Sequence, residues 1–163
     1  GKYLQYNNGR LEQDGTYHNN QKNGIWYYYN DTFKVIKKEK YLNGTLLWQV
    51  QGDSLAKLDT IKFGAEKEAE FAGGPQAWWR YLVTNIDANV ALNSVSGGKV
   101  IVIFCITKEG KPVDIYIRKS VEYVLDEEAL RVCYKMPSWN PAMQKGKPVN
   151  FYAAQPISFV KPK

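Results

Sequence analysis

Acid–base or nucleophilic catalysis would have very few side chains to use in this chain. It holds one histidine, His18, and two cysteines, Cys105 and Cys133. A Ser-His-Asp or Cys-His arrangement needs a histidine base, and His18 stands beside Asn19-Asn20, a turn sequence that should leave it solvated. The cysteines lie far apart, without C-x-x-C spacing or a neighbouring histidine, which excludes the usual zinc patterns. They read as two buried thiols packed as small apolar groups, with one disulfide in an oxidising compartment as the alternative. Asp126-Glu127-Glu128 could be taken for paired acids, but negative charge in the first turn of a helix explains the run with less effort. No Gly-rich phosphate loop and no H-E-x-x-H occurs. The sequence thus assigns no catalytic residue, no cofactor and no metal, and a non-enzymatic protein is expected.

Charge and hydropathy narrow the partners. Residues 1–64 carry nine Lys/Arg against six Asp/Glu and residues 65–163 thirteen against ten, so the net +6 is spread evenly. A nucleic-acid surface concentrates its charge, so nucleic acid is not an expected partner. No run of about 18 apolar residues is present, so nothing in this sequence spans a membrane as a helix. The chain opens on Gly1 rather than methionine, which leaves room for an upstream leader or anchor, and compartment is not read from the lack of one.

The elements that would hold a binding surface come from two patterns. Tyr6-Asn-Asn-Gly9, Tyr17-His-Asn-Asn20, Tyr28-Tyr-Asn-Asp31 and Tyr41-Leu-Asn-Gly44 recur at spacings of 11, 11 and 13 residues. Asn, Asp and Gly accept the left-handed backbone of tight hairpins, and the aromatic residues between them suit half-buried strands. A meander of short hairpins over residues 1–50 follows, with Asn23 to Asn30 as its aromatic ridge. Residues 51–65 lose both patterns and read as a linker.

Beyond them the chain reads as α+β. Gly74-Pro75 fits a helix start, with Trp78, Leu82 and Ile86 on one face and Trp79 and Val83 alongside. "KVIVIFCIT" (Lys99–Thr107) is apolar on both faces, "VDIYIRKS" (Val113–Ser120) alternates and should have one wet face, and "KEGKP" turns between them. A second helix is expected from Asp126 as its cap, with Leu125, Ala129, Cys133 and Met136 on one face and Pro137 as its stop. Val149 to Phe159 is the expected last strand.

Two resemblances attach to these residues. Gly15-Thr16-Tyr17 and Gly24-Ile25-Trp26, alternating with Tyr-x-Asn-Gly turns over residues 3–50, resemble the MORN-like repeats of bacterial proteins. Residues 66–160 closely resemble the C-terminal domain of TonB energy transducers of the Bacteroidetes type. That likeness rests on Leu125-Asp126-x-Glu128-Ala129, Met136-Pro137-x-Trp139-x-Pro141 and Gly146-Lys147-Pro148-Val149, in order. Departures are Phe71-Ala72-Gly73-Gly74 for the family's Phe-Pro-Gly-Gly, "NIDANVALN" where a Tyr-Pro pair is usual, and Ala142 for a glycine.

The resemblance implies a TonB C-terminal-like domain over residues 66–163, with helix-strand-strand-helix-strand order and two helices on one face of an antiparallel sheet. It further implies that the last strand takes a TonB-box peptide of an outer-membrane transporter by strand addition, at Val149, Asn150, Phe151, Tyr152, Ala153 and Ala154. Pro156 would limit that pairing. A periplasmic adaptor follows, membrane-anchored only through a segment outside this sequence, with a second protein partner on the repeat. A transducer fragment is one alternative. Another is a scaffold or antitoxin-like protein whose TonB-like domain only packs or forms a homodimer.

Overall fold

The structure, a computed structural model, describes residues 1–32, 34–52 and 65–161. The expected linker therefore lies mostly outside the described residues. Five strands open the chain: β1 (Lys2–Asn7), β2 (Arg10–His18), β3 (Gln21–Tyr29), β4 (Val35–Leu42) and β5 (Thr45–Gln51), antiparallel and in chain order. Asn8-Gly9, Asn19-Asn20 and Asn43-Gly44 join them with positive φ at both positions, the geometry whose twist matches flanking strands. The Tyr28–Asp31 motif differs. It leads into a longer loop, in which the Asn30 carboxamide accepts from the amides of Thr32 and Lys34 (both 3.0 Å).

On the outer face of this sheet Trp26 is fully buried. Its ring rests on the bare backbone of Gly15, where a Cβ would lie 2.2 Å from it. Tyr3 and Tyr17 flank the indole with centroids at 5.5 and 5.0 Å, and the Lys22 amine covers it at 4.3 Å. The other face, with Leu11, Tyr27 and Tyr29, joins the core of the rest of the chain.

That rest begins with β6 (Glu70–Phe71), α1 (Gly74–Asn85), α2 (Ala88–Asn93), β7 (Gly98–Ile106), β8 (Pro112–Lys119) and α3 (Tyr123–Tyr134). It ends with β9 (Trp139–Asn140), β10 (Ala142–Gln144), β11 (Lys147–Val149) and β12 (Phe151–Phe159). The main sheet is antiparallel in the order β12-β7-β8. Leu125, Ala129, Leu130 and Cys133 of α3 join Val100, Val102, Phe104 and Ile117 in one core. The α+β expectation and the five-stranded antiparallel meander are thus both found.

Several local expectations are corrected. The stretch "NIDANVALN" after the first helix, for which no element was expected, holds α2, capped by the Asp87 carboxylate accepting from the Asn89 amide at 2.9 Å. Trp79 and Val83 are 66% and 58% exposed. Adjacent helical positions point about 100° apart, and Tyr81 joins Trp78 on the packed side. Trp78 meets Phe71, Tyr81 and Trp139 with centroids at 5.4 to 5.8 Å, so it closes an aromatic cluster at β6 and β9. The second helix begins at Tyr123, and its cap position is Glu122. Asp126 instead sits inside the first turn, buried, and accepts from Ser120 Oγ, from the Val121 amide at 3.0 Å and from Tyr6 of β1 at 2.7 Å. Glu128 is likewise engaged, by the Asp87 amide at 2.8 Å and by Arg131. Both thiols are buried and free.

The expected wet face of β8 is covered at Tyr116 and stays exposed at Arg118. Tyr116 is buried, and Tyr27 of β3 stacks on it at 4.9 Å. The five-stranded sheet is the cover, and it brings polar groups with it. Ile117 N–H donates to the Tyr29 hydroxyl at 3.1 Å, and that hydroxyl meets the Asp14 carboxylate. One Asp14 oxygen has no hydrogen-bond partner. Burial pushes this carboxyl up to about 8, against the counter-effects of Lys2 and Tyr29.

Two outcomes follow. Because the folded state favours protonated Asp14, stability should fall as pH rises from 3.8 toward about 8. Asp14→Asn should flatten that slope and gain about 1–3 kcal/mol at the upper end, as read by urea denaturation at several pH values. Gly15→Ala should cost about 2–3 kcal/mol by driving a methyl into the indole, visible as a lower denaturation midpoint at unchanged slope.

Candidate functional site: the β12 edge of the main sheet

A three-stranded sheet has two edges, each with unpaired backbone groups. Here the two are treated differently. The outer side of β8 is met by the repeat-like sheet, whose Tyr29 hydroxyl takes the Ile117 amide. Asp114, on the same strand, adopts a left-handed backbone (φ 52°), and its carboxylate gathers three side chains. Tyr27 donates at 2.6 Å, Lys38 at 3.2 and 3.4 Å, and Tyr152 at 2.5 Å. The Lys38 and Asp114 side chains are only 5% and 12% exposed. Burial first, and Asp114's charge second, drive the phenols of Tyr27 and Tyr152 well above the ordinary tyrosine range, so both remain donors.

On the far side, β12 pairs with β7 from Phe151 opposite Ile106 to Phe159 opposite Gly98. Among the described residues no strand pairs with its other side. A proline is tolerated in such a strand where its nitrogen points away from the paired neighbour. Pro156, opposite Ile101, therefore sets the phase: the amides of Tyr152, Ala154 and Ser158 share its outward side, and those of Phe151 and Ala153 point to β7.

The residues singled out from sequence fall into three groups. Phe151 and Ala153 are buried on the helix side of β12. Tyr152 and Ala154 lie on the opposite face, half-buried and exposed respectively. Val149 and Asn150 stand outside the strand. Val149 ends β11, a two-stranded ribbon with β10 in which it faces Ala142, because Lys145-Gly146 turns the chain back first. Asn150 ties down the entry to β12, its side-chain oxygen accepting from the Lys108 amide at 2.9 Å.

Nucleophilic chemistry finds no footing beside this edge. Burial, with Asp114 nearby, pushes the Cys105 thiol up to about 11, and burial pushes Cys133 up to about 12, whereas reactive cysteines have lowered values. Main-chain donors and acceptors along a sheet edge are the kind of group that can pair with an extended chain with little regard to side chains.

Sequence reasoning missed Asp114, Lys38, Tyr27 and Tyr29. An acid inside an otherwise alternating strand, Val113-Asp114-Ile115, was a signal for Asp114. Lys38 had none, since Lys37 and Lys40 look the same in sequence.

Residues 90–160 match the family described as Gram-negative bacterial TonB protein C-terminal, over less than half of the chain. The match takes in most of α2, the whole main sheet and α3. No curated protein and no solved structure matched.

The Asp114 cluster yields a direct test. Lys38→Met leaves a buried carboxylate without its cation and should cost about 3 kcal/mol. Lys38→Met combined with Asp114→Asn should cost clearly less than the two single changes together, in a double-mutant cycle by chemical denaturation.

Proposed function

We propose that this protein is a non-enzymatic periplasmic adaptor whose TonB-like domain takes an extended peptide as a fourth strand along β12. In this reading the peptide is the TonB box of an outer-membrane transporter, and the chain serves TonB-dependent transport. Residues 66–163 form the peptide-binding unit, residues 1–50 are a MORN-like repeat, and residues 51–65 link them. The observation that carries the reading is that the Ile117 amide of β8 is taken by the Tyr29 hydroxyl, while among the described residues no strand pairs with the outer side of β12. The family match over residues 90–160 supports the same assignment.

The amide of Ala154 supplies the ladder to the peptide, while Phe151 and Ala153 hold β12 to β7 and to the core. Pro156 has no amide to offer, so pairing is strongest in the first half of the strand. The outer face of the five-stranded sheet, with Tyr3, Tyr17, Tyr28 and Tyr41 around Trp26, is the surface for a second protein partner. No helix among the described residues is long and apolar enough to cross a membrane.

Photo-cross-linking from Ala154 in cells, with Tyr28 as the control position, tests the proposal. Capture of an outer-membrane transporter from Ala154 is the expected result, and Ala154→Pro, cross-linked from Ser158, should lower capture about tenfold with the fold intact. Capture of only a second copy would replace the adaptor with a homodimeric scaffold. Capture only from Tyr28 would move recognition to the repeat.

A further inference from the structure

The end of the main sheet where β7 begins and β8 and β12 finish carries a surface that neither the peptide site nor the repeat-like sheet uses. The segment from Ser94 to Gly97 spans this end from the finish of β12 to the start of α3, and it is pinned on both sides. The Val95 amide donates to the two Glu122 carboxylate oxygens at 2.9 and 3.2 Å, and the Lys161 amine donates to the Ser94 and Val95 carbonyls at 2.8 and 3.4 Å. Within the turn the Gly97 amide donates to Ser94 Oγ at 2.9 Å. Gly97 passes so close to β12 that a Cβ there would stand 2.6 Å from the Phe159 carbonyl oxygen. The backbone is thus fixed, yet Val95 is left 84% exposed. Val160, next to Lys161, is 80% exposed, and Leu92 in the last turn of α2 is 52% exposed.

Cations share this end with the three aliphatic residues. Lys99 lies on β7 opposite Ser158, Lys119 closes β8 opposite Ile101, and Arg118 stands beside it, all exposed. Among the described residues none of these three is in an ion pair, and Lys161 donates to carbonyls. A charge that is spread evenly along the sequence is concentrated here by the sheet register.

We infer that this end of the protein rests on an anionic lipid bilayer, with Leu92, Val95 and Val160 in the boundary between headgroups and acyl chains and the four cations on lipid phosphates. An acidic protein would have to match both the cations and the projecting aliphatic groups at fixed spacing. A bilayer offers negative charge with an apolar layer beneath it, over a fluid plane that imposes no spacing. Three aliphatic side chains hold little by themselves, so the contact needs both contributions and is reversible and salt-dependent. It stands independently of strand addition at β12.

The test is co-sedimentation of the full chain with vesicles of phosphatidylcholine alone or with about one-third phosphatidylglycerol. Binding to the mixed vesicles is expected, about tenfold weaker when salt rises from about 50 to about 300 mM, with little binding to phosphatidylcholine alone. Lys99→Gln combined with Lys119→Gln should weaken it about tenfold, and Val95→Ser combined with Val160→Ser about fivefold. Lys108→Gln combined with Lys111→Gln removes the same charge at the opposite end of β7 and β8 and should change binding less than about twofold. All six positions are exposed, and an unchanged denaturation midpoint confirms that the fold is kept. Equal losses from the two lysine pairs would reveal attraction by net charge alone and overturn the site. Full binding by the valine variant would overturn insertion of the aliphatic groups. No binding to mixed vesicles would overturn the lipid contact outright and turn the search to an acidic protein.

Discussion

The carboxylate of Asp114 is the point on which the two sheets of this protein meet. Its three donors come from β3, β4 and β12, so one buried charge ties the repeat-like sheet to both outer strands of the main sheet. An ionised acid in such a place is tolerable only with a cation and hydrogen bonds for its lone pairs, and Lys38 with two tyrosines provides them. The same contact fixes position as well as energy. A displaced five-stranded sheet would leave Asp114 and Lys38 buried without each other, a far larger loss than any single apolar contact.

Much of the remaining architecture follows from that fixed seat. With Tyr27 over Tyr116 and Tyr29 at the Ile117 amide, the hydrophobic second face of β7 and β8 is closed from within the chain. A second docking point lies at the other end of the sheet, where Tyr6 of β1 reaches the buried Asp126 and Lys2 sits 4.6 Å from the Tyr134 ring. The interface is therefore polar at its contacts and aromatic between them. Tyrosine suits this role, because its ring supplies apolar area and its hydroxyl satisfies a group on the far side.

Where local chemistry decides structure, the sequence was legible. Asn-Gly and Asn-Asn pairs marked the two-residue turns because few other residues accept positive φ twice in succession. The hairpin of β7 and β8 followed from an apolar run and an alternating one with Gly/Pro punctuation between them, and the final strand from its apolar run, of which Val149 and Asn150 fall outside β12. Asp126 shows the opposite case. An acid at the start of an apolar run reads as a helix cap, but here its partners are Ser120, Val121 and Tyr6, the last 120 residues away in the chain. Trp79 was misread for a different reason, since two adjacent tryptophans cannot both face inward from one helix. Helix α2 has only six residues, too few to show a period.

The sequence alone determined the two-residue turns, the strands of the meander, the β7–β8 hairpin and the likeness to TonB C-terminal domains. Tertiary structure decided which groups of the main sheet the five-stranded sheet engages. That engagement is a non-local property. It depends on Lys38 and Tyr29 meeting Asp114 and Ile117 across 76 and 88 residues of chain, and no local pattern marks those four residues as partners.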